Sequence, residues 1–138
     1  MATPDRLFVY GTLRRRHGAH ALLGRAGRFL GDGVFQGRLY DLGPYPGAVP
    51  SGQRGDRVLG EVYRLVGPES VLERLDAYEG CHGPCARFQR QLKPLAFGHD
   101  DRIWCWIYVY MGRTHGLKRI ASGEYSLEPA DLDHAAAS

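Results

Sequence analysis

The chain has 138 residues, 43% of them hydrophobic, with 18 Lys+Arg against 15 Asp+Glu for a formal charge of +3, a length and apolar content that suit one domain around one core. That small charge argues against a nucleic-acid partner. No apolar run approaches the roughly 18 residues a bilayer span needs, and the N-terminus lacks a basic segment leading into an apolar one, so a cytoplasmic protein with no membrane partner is expected.

In chain order, a polar N-terminal hexapeptide precedes Leu7 to Tyr10, a short apolar strand. The strand breaks at Gly11, and the N–H groups of Gly11, Thr12 and Leu13 would then point into one concavity suited to a carboxylate or phosphate. The plainer alternative is a tight turn in which Thr12 caps the following segment. From Arg14 to Phe29, Gly18, Gly24 and Gly27 restrict helix to part of the segment, and Arg14-Arg15-Arg16-His17 reads as a solvated stretch without interleaved aromatics. Phe29 to Leu42 has the period-2 pattern of a strand with one exposed face, with Gly31, Gly33 and Gly37 allowing bends or bulges.

Asp41 to Pro50 is rich in Pro and Gly and is expected to be an irregular loop, followed by a polar turn from Gly52 to Asp56. Val58 to Leu65 alternates as a strand. Gly67-Pro68-Glu69 opens a helix with a first-turn proline and a favourably placed acid. Its Val71, Leu72, Leu75 and Tyr78 fall on one face, which packs on the sheet and ends near Gly80. Arg87 to Phe97 and Arg102 to Tyr110 flank Gly98-His99-Asp100-Asp101 as a hairpin. Several strands around one or two helices make an α+β domain with a mostly antiparallel, strongly curved sheet, residues 1–6 and 129–138 being flexible termini.

Glu79 is the leading candidate for chemistry. It lies where the helix runs into a glycine-rich turn, beside Tyr78 and at the negative end of the helix dipole, so partial desolvation there would raise its pKa toward the range a proton shuttle requires. An ordinary solvated carboxylate is the alternative, and Asp76, one turn earlier, is the rival acid. Cys81-His82-Gly83-Pro84-Cys85 places two thiols and an imidazole within five residues, with Cys105 distant. A lone cluster of this kind is a loop more often than a zinc site. The odd cysteine number, with no secretion signal, points to reduced thiols.

Taken together, Phe8-Val9-Tyr10-Gly11-Thr12-Leu13, Tyr45-Pro46-Gly47, Leu75-Asp76-Ala77-Tyr78-Glu79-Gly80, Phe88-Gln89-Arg90, Trp106-Ile107-Tyr108-Val109 and Ser122-Gly123-Glu124-Tyr125 resemble the γ-glutamylcyclotransferase superfamily, in its AIG2-like and γ-glutamylamine cyclotransferase branch. The resemblance runs from Leu7 to Tyr125 and implies a small β-barrel with flanking helices. It implies an anion-binding loop at Tyr10, Gly11, Thr12 and Leu13, a catalytic glutamate at Glu79, and Tyr108 lining the cavity. Phe88 departs from the tyrosine that relatives often carry there.

The implied reaction is release of 5-oxoproline and a free amine from a γ-glutamyl amide, for which no metal, nucleotide or other cofactor is required. A non-catalytic small-molecule-binding module on the same fold, or a zinc-stabilised interaction protein, would use the same residues differently. Asp41 to Pro50 and Gly80 to Ala86 are the segments expected to set specificity.

Overall fold

The computed structural model describes residues 3–11, 23–43, 45–79, 87–99 and 101–125. Eight strands and one helix are found among them: β1 (Arg6–Val9), β2 (Gly27–Phe35), β3 (Gly37–Asp41), β4 (Pro46–Pro50), β5 (Val58–Leu65), α1 (Pro68–Tyr78), β6 (Phe88–Phe97), β7 (Asp101–Tyr110) and β8 (Lys118–Arg119). The sheet order is β1-β5-β2-β6-β7-β4-β3-β8, and an added β1–β7 pairing closes β1, β5, β2, β6 and β7 into a five-stranded barrel. β7 divides its second edge: Trp106 meets Leu7 of β1, and Val109 meets Ala48 of β4. Those two contacts are parallel and all others antiparallel, the curved, mostly antiparallel barrel that was expected.

The alternation of β1 explains its uninterrupted apolar sequence. Phe8 and Tyr10 join Val58, Val62, Leu95, Cys105 and Ile107 inside the barrel. Leu7 and Val9 face the other way and pack with Val71, Leu72 and Leu75 of α1. A strand covered on both faces needs apolar residues at every position. The helix starts where the sequence indicates: Gly67 is left-handed at φ 65°, Pro68 occupies the first turn, and the Glu69 carboxylate accepts a 2.8 Å hydrogen bond from Thr3 Oγ1. Val71, Leu72 and Leu75 are at most 2% exposed, each contributing about 1.5–3 kcal/mol by burial. Tyr78, expected on the same face, is 46% exposed. It is the last residue of α1.

Two expectations change. Asp41 to Pro50 is not wholly irregular, because Pro46–Pro50 forms β4, paired with β3 from Gly37↔Pro50 to Asp41↔Pro46. Its prolines stand at the two ends, where a missing N–H costs the ladder least, and the fully buried Ala48 holds the centre. Phe29 to Leu42 is two strands rather than one, broken at Gln36, and the anticipated bulge falls between Phe29 and Gly31. The β6–β7 hairpin is continuous from Phe88↔Tyr110 to Phe97↔Asp101. The described part of Arg14 to Phe29 holds a 3-10 turn at Gly24–Ala26. No helix among the described residues is long and apolar enough to cross a membrane.

Candidate active site

The C-terminal end of β1, the residues entering β4, the end of α1 and the C-terminal part of β7 converge on one pocket. It spans about 330 Å³ with the open solvent at its mouth included, and is lined by Phe8, Val9, Tyr10, Gly11, Tyr45, Pro46, Glu79 and Tyr108. Tyr10, Gly11, Glu79 and Tyr108 are thus brought together from three distant parts of the sequence. Thr12 and Leu13 lie outside the described residues, as do Cys81, His82 and Cys85.

Glu79 follows α1 directly. Its backbone N–H donates to Leu75 O at 2.9 Å, continuing the helical pattern and turning the side chain to the pocket wall. No cation and no hydrogen-bond donor among the described residues meets its carboxylate. Burial acts on it, raising its pKa from 4.5 to about 7 by disfavouring the charged form. A carboxyl group so poised accepts and returns a proton near neutral pH.

Asp76 has a different occupation. Arg90 grips it at both oxygens, Nε to Oδ1 at 2.8 Å and Nη2 to Oδ2 at 3.1 Å, and Tyr108 donates to Oδ1 at 2.7 Å. The guanidinium of Arg90 also lies 4.3 Å from the ring centre of Trp106, whose Nε1 donates to Pro4 O at 2.9 Å. This chain of contacts fastens α1 to β6, β7 and the N-terminal segment. Asp76 thus ties down the helix whose end presents Glu79 to the pocket, and the two acids differ in their partners.

The other expected residues divide in the same way. The Tyr10 hydroxyl donates to Tyr108 O and accepts from Ala48 N at 3.2 Å, so it stitches β1 to β7 and β4 while Tyr10 also lines the pocket. At Gly11, a Cβ would lie 3.0 Å from Pro46 Cγ and 3.1 Å from Pro46 Cδ. A side chain here would push Pro46 away, so glycine lets the β1 turn and the β4 entry close on each other.

Tyr45 and Pro46, in the Asp41 to Pro50 segment expected to set specificity, are both wall residues. Phe88 is buried and stacks edge-on with Tyr110 at 5.7 Å and tilted with Tyr45 at 5.8 Å, so the position supports the wall through its ring. No group of three metal-ligating side chains occurs among the described residues. Cys105 is fully buried, and its thiol is pushed up to about 12 chiefly by burial, which makes it unreactive.

Comparison with known proteins places the chain in a family. Residues 7–127 match the model of a family described as gamma-glutamyl cyclotransferase, AIG2-like. The gamma-glutamylcyclotransferase family protein YtfP of Escherichia coli K12 is 39% identical over 121 residues, 87% of this chain and 95% of that protein. The gamma-glutamylaminecyclotransferase of Rattus norvegicus is 30% identical over 117 residues, 74% of this chain and 75% of that one. The crystal structure of an AIG2-like protein from Mus musculus superposes with a TM-score of 0.74 at 24% identity, over 94% of this chain and 93% of that chain, a likeness of fold.

Proposed function

We propose, for a chain that belongs to the AIG2-like γ-glutamyl cyclotransferase family, that it cleaves a γ-glutamyl amide by intramolecular cyclisation, releasing 5-oxoproline and a free amine. The carrying observation is Glu79, a carboxyl raised to about 7 by burial on the wall of a small pocket. The substrate's own α-amine is the nucleophile. Its nitrogen attacks the γ-carbonyl carbon, a five-membered ring closes, and the bond from that carbon to the amide nitrogen breaks. Holding the glutamyl chain folded makes the attack intramolecular, an advantage that reaches an effective molarity of about 10⁵ M or more in well-oriented cases.

In this reading Glu79 takes the proton from the attacking amine and returns it to the leaving nitrogen, so one carboxyl group serves both steps in sequence. The segment Tyr10, Gly11, Thr12, Leu13 grips the substrate α-carboxylate through backbone N–H groups and contributes to stabilising the oxyanion. Tyr108 lines the cavity while anchoring Asp76.

The test is 5-oxoproline release from a panel of γ-glutamyl amines and peptides by wild type and by Glu79→Gln. Turnover that disappears in a folded Glu79→Gln supports the assignment. Equal turnover in both removes Glu79 from its role, and no turnover by wild type across the panel overturns the reaction.

A further inference from the structure

Among the described residues the pocket wall holds one carboxyl group and otherwise apolar and aromatic side chains, yet a cation stands immediately behind it. Arg87 Nη1 donates to the hydroxyl of Tyr45, a wall residue, at 3.3 Å. Its guanidinium carbon lies 5.7 Å from the ring centre of Tyr110, within the range of a cation–π contact. Its backbone carbonyl accepts the Met111 N–H at 2.7 Å, which fixes the main chain just ahead of β6. Tyr45, Phe88 and Tyr110 form a run of ring contacts at 5.8 and 5.7 Å, and the Arg87 head rests across its two ends.

Arg87 differs in its partners from the arginines that build the fold. Arg38, Arg64, Arg90 and Arg119 each meet an aspartate. Arg87 is exposed, and no carboxylate among the described residues pairs with it. A guanidinium has five N–H donors in a fixed fork. Seated on tyrosines, this one keeps enough of them for a bidentate contact with an incoming carboxylate. It is also placed for one, because the Tyr45 hydroxyl it holds belongs to a residue of the pocket wall.

We infer that Arg87 is a specificity-determining residue, selecting γ-glutamyl amides whose amine half bears a carboxylate, as in a γ-glutamyl amino acid or peptide. The inference rests on the cyclotransferase reading for its reaction. The glutamyl half is held by the β1 end, the scissile nitrogen lies at Glu79, and the amine half extends past Tyr45 to the cation. A neutral amine half would leave Arg87 without that partner. Phe88 contributes indirectly, for its ring spaces Tyr45 from Tyr110 and so sets the width of the seat.

The test pairs two substrates of nearly equal shape, γ-glutamylalanine and γ-glutamylalaninamide, which differ in one terminal charge. Wild type should favour the acid by about tenfold in kcat/KM, mostly through KM. In Arg87→Met the acid-to-amide ratio should fall to near one, and Arg87→Lys should restore part of it, because charge returns without the fork. A wild-type ratio of one or less, or an unchanged ratio in Arg87→Met, overturns the inference.

A merely structural role would weaken both substrates equally and leave the ratio in place. Calorimetric binding of the same two compounds to Glu79→Gln separates the two readings. If wild type releases no 5-oxoproline but Glu79→Gln still binds the acid about tenfold more tightly, Arg87 keeps its role and the reaction is lost. If the two compounds bind equally, or neither binds, the role of Arg87 is lost as well.

Discussion

Asp56 and Glu79 are two carboxylates withdrawn from solvent in the same small barrel, and their surroundings push them in opposite directions. Asp56 is 7% exposed and accepts from Ser51 Oγ at 2.6 Å, Arg38 Nε at 2.7 Å and Arg119 Nη2 at 2.8 Å. The Ser51 bond foremost, with Arg38 beside it, holds its pKa far below the usual carboxylate range. Glu79 has burial and, among the described residues, no such donors, and stands at about 7. Burial with donors fixes a charge and ties elements together, here β3, the turn before β5 and the residue ending β8. Burial without them leaves a proton to be exchanged, which suits chemistry and not cohesion.

The largest test of that contrast removes each acid in turn and asks which property suffers. Glu79→Gln should lower 5-oxoproline release by about 10³-fold or more, with the folded circular dichroism spectrum intact. Asp56→Ala should do the reverse. Two guanidiniums lose their shared acceptor, and the midpoint of thermal unfolding should fall by roughly 5–10 °C, with kcat per folded molecule within about twofold of wild type. A stable but inactive Asp56→Ala would break the comparison.

The asymmetry also explains what was legible in the sequence. Glu79 could be singled out because Pro68, the apolar stripe at Val71, Leu72 and Leu75, and Gly80 define a helix end locally. The β1 and β5 strands were legible from short apolar runs for the same reason. The Asp56 cluster was not, because Arg38, Ser51, Asp56 and Arg119 come from separate segments and no local pattern announces their meeting. β4 was hidden by its prolines, whose harmlessness at strand ends depends on a partner strand that only the fold supplies. Tyr78 shows the converse error: periodicity placed it on the buried face, and the end of the helix leaves it exposed.

A pH titration sharpens the comparison further. Glu79 has a pKa of about 7 in the folded protein against 4.5 as the reference for the unfolded chain, so the folded state binds its proton more tightly. Its contribution to stability is therefore whole below about pH 4.5 and is lost as pH rises through about 7. Relative to Glu79→Gln, wild type should lose about 2 kcal/mol between pH 4.5 and pH 8, after allowance for the half-buried carboxyl's residual solvation. Chemical denaturation of the two proteins at both pH values reads the difference, and a gap constant with pH would contradict the burial argument. The acid limb of kcat/KM should also fall near pH 7 in wild type.

Asp76→Asn tests the positioning role one turn away. The amide keeps the shape but loses the charge opposite Arg90, whose side chain is 23% exposed against 16% for Asp76. Stability should fall by about 1–2 kcal/mol, and kcat/KM by about tenfold because the helix end that presents Glu79 loosens. The pH at which the acid limb falls should stay with Glu79. A loss as deep as that of Glu79→Gln would make Asp76 the acid and reverse the assignment.

The smallest expected effect belongs to a neutral group that does for the pocket what Asp56 does for the sheet edge. The Tyr10 hydroxyl is used at both its donor and acceptor sides, toward Tyr108 O and Ala48 N, and these bonds hold β7 and β4 at the floor of the site. Tyr10→Phe removes both bonds while keeping the ring in the core, so stability should drop by about 1 kcal/mol. Because the hydroxyl already has protein partners, KM for any γ-glutamyl substrate should change by no more than about twofold. A large rise in KM with unchanged stability would mean that the hydroxyl turns to the substrate on binding. Tyr10 would then belong with Glu79 among the groups left ready for chemistry, and not with Asp56 among those the fold consumes.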